Sequence, residues 1–326
     1  MLYALMAAAL LASPQSAPPA QTPPVAQDPV RLEDVIVDTR RLEDTTEDYV
    51  DAIAAPARRR GLARWKDGMC VGVVNLEAET AQYLADRVSD VARSLGLRAH
   101  EPECHPSVLI VATSDGPAFT EQFVAMRPRL FRVGAAGMDR GSAELREFIR
   151  EERPVRWWHV SLPVDSETGN PVVRPPGFVA GSGTGGGGRD ATSAQEYAPN
   201  TAIFAASRLT TQYVDHLKRV FIIVDVDQLH GATLQQLGDY VAMVAMAQVD
   251  PDADTGRFDT ILNLFDDPST APTGLTGWDR AYLEGLYDLG SETHRINQRA
   301  QVQAVAAAIA NAYRGSEAAP EDLEQP

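Results

Sequence analysis

The chain has 326 residues, 44% of them hydrophobic, which is enough apolar material for one large domain or two small ones. Its formal charge is −16, and the densest basic cluster is Arg58-Arg59-Arg60 with Arg64 and Lys66. That balance excludes a nucleic-acid binder, whose affinity comes from Lys and Arg neutralising phosphates.

The first apolar run, Leu2–Ala12, is followed by a Pro-, Ala- and Gln-rich stretch. It falls short of the roughly 20 residues a membrane span needs and fits the h-region of a signal peptide, although no Lys or Arg precedes it. Residues 1–26 are therefore expected to be a signal peptide and linker, and the product to be periplasmic or secreted with no membrane span in the mature chain. Residues 27–46 are expected to be extended or disordered, with a helix following from Glu47 to Arg60. One globular domain then covers residues 47–314, and residues 315–326 form an acidic disordered tail.

The domain starts with Cys70–Val74 as a buried strand. Glu77–Leu97 follows as an amphipathic helix, with Leu84, Val88, Val91, Ala92 and Leu95 on one face, Asn75 as its cap and Gly96 as its terminator. Val108–Thr113 is a second buried strand, so the three elements make a βαβ unit with parallel strands. The only cysteines, Cys70 and Cys104, then sit at the starts of neighbouring strands. In an oxidising compartment an even pair reads as a disulfide; two buried thiols are the alternative.

Further helices are predicted at Pro117–Met126 and Ser142–Glu152, and a strand at Val155–Ser161. Residues 163–200, dominated by Gly, Pro, Ser and Asn, form a long loop. Arg208–Tyr213 and Arg219–Asp225 read as a hairpin turning at Asp215-His216. Helices follow at Thr233–Val249, Phe258–Phe265, Gly277–Leu289 and Ile296–Tyr313. The fold class is α/β or α+β: a mixed sheet with a βαβ start, covered by several helices.

Few residues arrange themselves into chemistry. Gly181–Gly186 matches G-x-G-x-x-G, but Pro175-Pro176 upstream and Gly187-Gly188 downstream deny it the strand and helix a dinucleotide site requires, so it reads as a glycine loop. Asp250, Asp252 and Asp254 are spaced as in a calcium loop, yet its turn glycine and bidentate glutamate are replaced by Thr255 and Ile261. No two histidines share a zinc-ligand spacing, and there is no G-x-S-x-G. No metal or cofactor is expected. Should the protein be an enzyme, the residues to draw together are His159, Asp225, Asp227 and His230.

Leu32–Val37 followed by Asp38-Thr39-Arg40-Arg41 resembles the TonB box of outer-membrane receptors. That resemblance implies a strand, Val35, Ile36 and Val37, that docks by pairing with an envelope partner similar to TonB. The chain is too short for the receptors' barrel. More broadly, the βαβ start, the Trp157–Ser161 strand, the Thr233–Val249 helix, Ile261–Pro268 and Leu275–Leu289 resemble a group of uncharacterised exported proteobacterial proteins, some of whose relatives look like zincin metallopeptidases. On the zincin pattern, Asp239, Tyr240 and Met243 stand where ligand, base and ligand belong. Tyrosine is no carboxylate base and a thioether is a poor zinc ligand, so the resemblance implies a zincin-like fold without its metal motif. The expected function is that of an exported non-catalytic protein binding an envelope partner. The alternative is a periplasmic, peptidase-like hydrolase with a site assembled from scattered residues.

Overall fold

The computed structural model describes residues 32–56, 60–66, 68–101, 104–131, 140–165, 213–288 and 298–317. The chain divides into two units, residues 1–39 and 40–326. The described part of the first unit is Leu32–Thr39, which is helical backbone at the start of α1 (Leu32–Ile53). The extended segment expected before residue 47 is therefore helical from Leu32 onward. Leu32, Val35, Ile36, Leu42, Tyr49, Val50 and Ile53 recur at helical spacing, and that period outweighs the β-branched Val35–Val37 run.

The second unit is built on a mixed four-stranded sheet, β1 (Val71–Val74), β2 (Val108–Thr113), β3 (Val155–Asp165) and β4 (Tyr213–Asp225), in the spatial order β1-β2-β4-β3. The fold is α+β. The predicted βαβ unit is present: α2 (Ala78–Ser94) joins β1 to its parallel neighbour β2, and buries Leu84, Val88, Val91 and Ala92. Gly96 ends α2 at φ +77°, a left-handed turn that glycine adopts without strain. Asn75 does not cap α2; at φ 65° it turns the chain and its Nδ2 donates to Ala112 O at 2.7 Å. Cys70 and Cys104 are bonded, with Cα atoms 6.1 Å apart.

The expected hairpin at residues 208–225 is instead one strand. β4 is a single strand from Tyr213 to Asp225, antiparallel to β3 from Tyr213 to Val224 with one bulge opposite Val160-Ser161, and parallel to β2 over Val220–Asp225. Asp215, read as a turn residue, is buried in the strand because Arg60 pairs with its carboxylate and Gly61 N donates to it at 2.8 Å. β3 likewise continues past Ser161 to Asp165, and Pro163 is tolerated because β3 is an edge strand. The rest of the long loop and Arg208–Gln212 lie outside the described residues.

Alternate side chains of β3 and β4 face two layers. Trp158, Val160, Phe221 and Ile223 pack against α3 (Gly116–Met126), α4 (Pro128–Phe131) and α5 (Ser142–Arg150). Val155, Trp157, Val220, Ile222 and Val224 pack against α2 and α6 (Leu234–Met246), with α7 (Gly277–Asp288) and α8 (Gln298–Glu317) on the same core. α8 extends to Glu317, beyond the predicted start of the tail; residues 318–326 lie outside the described residues. The expected helix at Phe258–Phe265 is a 3-10 turn, Ile261–Phe265, capped by Thr260.

α6 is buried on every side from Gln236 to Met246. Its N-terminus is closed by a capping box of Thr233 and Gln236. Its last carbonyls would be orphaned without side-chain donors. They receive His159 Nε2 on Val244 O (2.7 Å), Trp65 Nε1 on Ala245 O (2.9 Å) and Tyr287 Oη on Met246 O (2.7 Å). Tyr287→Phe strands the Met246 carbonyl in the core. Denaturant unfolding is expected to show a loss of about 1–3 kcal/mol.

Candidate functional site

The candidate catalytic set is not brought together. His159 pairs with Val220 across the β3–β4 ladder and faces α6. Asp225 lies five residues further along β4, roughly 17 Å away. That odd offset turns it toward the α3–α5 face. Its Oδ2 accepts Gly116 N (2.9 Å) and Gln228 Nε2 (3.0 Å), and its Oδ1 accepts Asp227 N (3.2 Å). Asp225 thereby ties the start of α3 to the turn after β4. Asp227 and His230 are exposed beyond the strand, and His230 holds a left-handed turn at φ 41°.

The other groups singled out in the sequence have structural work. Asp239 is buried, pairs closely with Arg87 of α2, and accepts Leu275 N at 3.2 Å. Tyr240 packs edge-on against Trp157 and Phe265, and burial pushes its phenol far above the usual range. Met243 is fully buried. Asp250 pairs with Arg140 at 3.2 Å and Asp252 with Arg153, while Asp254 stands exposed. Among the described residues no group of three or more His, Cys, Asp or Glu is placed to hold a metal ion. Gly181–Gly186 lies outside the described residues, and Val35, Ile36 and Val37 lie within α1.

Three features escaped the sequence. The first is the open edge of β1. The Cys70 carbonyl points to β2, accepting Ser107 N and Val108 N at 2.9 Å, so by strand alternation Gly72 and Val74 also point inward. Met69, Val71 and Val73 point outward. Met69 is already paired, donating to Arg98 O and accepting His100 N, both at 2.9 Å. The outward N–H and C=O of Val71 and Val73 make no backbone hydrogen bond among the described residues, and both residues are half-buried only. The opposite edge strand, β3, is buried over Val155–Val160. No short-range signal marks β1 as an edge, because edge position is a property of strand order.

The second feature is a groove of about 160 Å³ between α2 and α7, with Val91, Leu95, Leu275 and Leu283 on its floor and Arg87, Asp90, Arg280 and Glu284 around it. The third is Arg156, 2% exposed on the α3–α5 face. Its Nη1 donates to Phe148 O and Ile149 O at 3.2 Å, whereas Nε and Nη2 meet no acceptor among the described residues, and burial lowers its pKa. Its guanidinium lies against Gly116, where a Cβ would sit 2.9 Å from Nη2. A water-sized cavity of about 20 Å³ adjoins it.

The fold changes the proton affinity of His159. Burial pulls it down to about 4, against the pull of the Val244 carbonyl, with the charge of Arg140 lowering it further. The unfolded chain binds this proton near pH 6.5 and the folded chain only near pH 4. Between those values the unfolded state carries more protons, so stability present above pH 6.5 is lost as pH falls toward 4. The expected loss is roughly 3 kcal/mol. His159→Gln is expected to flatten the fall of unfolding free energy over that window; an unchanged pH profile would place the acid sensitivity elsewhere.

Compared with known proteins, the chain matches no family model, no curated protein and no solved structure.

Proposed function

We propose that this is an exported, non-catalytic protein that binds a protein partner of the cell envelope, and that an extended segment of the partner adds to β1 as a fifth strand. The observation that carries this reading is the pair of outward-facing residues, Val71 and Val73, whose main-chain donors and acceptors are open on a half-exposed edge. Strand addition needs such an edge held straight. Two contacts hold its entry: the Cys70–Cys104 bond and the Ser107 hydroxyl that accepts Cys70 N at 2.9 Å. A disulfide of this kind persists in an oxidising compartment, in keeping with export. No helix among the described residues is long and apolar enough to cross a membrane.

The same chemistry assigns β1 as acceptor of a strand in preference to Val35–Val37 as donor. Val35–Val37 belong to a helix, and pairing as a strand with a TonB-like partner would require that stretch of α1 to unwind first.

Proline at Val73 removes one outward N–H and leaves the ladder to β2 intact, since Val73 donates away from it. With a photo-crosslinker at the exposed Val74, the native protein and Val73→Thr are expected to label the same envelope protein. Val73→Pro is expected to weaken that labelling about tenfold or more, with its melting temperature little changed. Equal labelling by Val73→Pro would remove β1 from the interface.

A further inference from the structure

The groove between α2 and α7 holds charges that helix packing leaves uncommitted. On its α2 wall, Arg87 is engaged by Asp239, and Asp90 by Arg93 at 2.7 Å. On its α7 wall stand Arg280 and Glu284, four residues apart, the spacing at which opposite charges ordinarily pair along a helix. No ion pair joins them among the described residues. Arg280 donates only its Nε, to Leu275 O at 3.3 Å, and the Glu284 carboxylate accepts no hydrogen bond among the described residues. Between them and α2 lies a floor of aliphatic side chains: Val91, Leu275 and Leu283 are buried, and Leu95 is half-buried.

We propose that this groove binds a free α-amino acid with a medium-sized apolar side chain. The ligand's carboxylate lies on Arg280, its ammonium on Glu284, and its side chain on the Leu275–Leu283 floor. Size supports the assignment, because a cavity of about 150 Å³ admits benzene. The groove, at about 160 Å³, therefore suits an isobutyl or phenyl group. Charge supports it as well. One uncommitted cation and one uncommitted anion complement a zwitterion, whereas a ligand of either single charge leaves one of them unanswered. A chain of net charge −16 also disfavours approach by a bare carboxylate. This assignment is independent of strand addition at β1.

The test is calorimetry and thermal shift on the full chain with L-leucine and L-phenylalanine, against leucinamide, which lacks the carboxylate, and 4-methylpentanoate, which lacks the ammonium. At least one of the two amino acids is expected to bind saturably, with both leucine analogues weaker by about tenfold or more. Arg280→Gln is expected to abolish the preference for leucine over leucinamide, and Glu284→Gln the preference over 4-methylpentanoate. Both side chains are exposed, so both variants should keep the parent melting temperature. No saturable binding by either amino acid, equal binding of the analogues, or preferences that survive both substitutions would each overturn the proposal.

Discussion

A helix buried on all sides must find partners for its last carbonyls inside the protein, and the fold is arranged around that demand at the end of α6. The donors come from three separate places in the chain: Trp65 before β1, His159 on β3, and Tyr287 on α7, while Trp157 on β3 answers Val249 O in the segment that follows α6. Each has a ring that contributes apolar area to the core and a single N–H or O–H that reaches a main-chain oxygen. Because Val244, Ala245, Met246 and Val249 are all answered, the sheet, α7 and the segment before β1 are held in one register on α6. Trp158, facing the other layer, does the same for Phe131 O at 2.9 Å.

The buried acids extend that logic. Asp279 is fully buried and makes no ion pair among the described residues, yet its oxygens accept Tyr49 Oη (3.0 Å), Ile261 N (2.9 Å), Thr276 N (2.9 Å) and the hydroxyls of Thr260 and Thr276. Five donors offset the cost of removing the carboxylate from water and join α1, the 3-10 turn and α7. Asp215 and Asp239 use guanidinium partners from Arg60 and Arg87 for the same end. Histidine and aspartate, the residue types from which a hydrolytic site was drawn in the sequence, are thus largely cross-links of the interior here. Among the described residues Arg156 keeps two donors without an acceptor in the interior, and the other uncommitted groups described above lie at the surface, on the β1 edge and along the α2–α7 groove.

The parts of the fold legible in the sequence are those written in local periods. The β1–α2–β2 unit, the α3, α5, α6 and α7 helices and the Cys70–Cys104 pairing follow from apolar spacing, turn residues and cysteine position. Local reading failed where a distant partner decides. Asp215 looks like a turn until Arg60, 155 residues away, pairs with it. His159 looks like a catalytic candidate until the Val244 carbonyl, 85 residues away, takes its ring N–H. At Val35–Val37 two local signals conflicted, and the helical period of the whole α1 segment prevailed over three β-branched residues. The open edge and the groove exist only once strand order and helix packing are set, so no motif announced them.

The most direct measurement is hydrogen exchange of the Trp65, Trp157 and His159 ring N–H protons, followed by NMR in one sample across pH 4–7. If these rings hold the end of α6 and the segment that follows it, their protons exchange only through global unfolding, at closely similar free energies, and His159 stays neutral with its proton on Nε2 until pH approaches 4. Exchange of the His159 proton well ahead of the two indoles, or titration of its ring near pH 6.5, would contradict the account and return His159 to the list of accessible, chemically active groups.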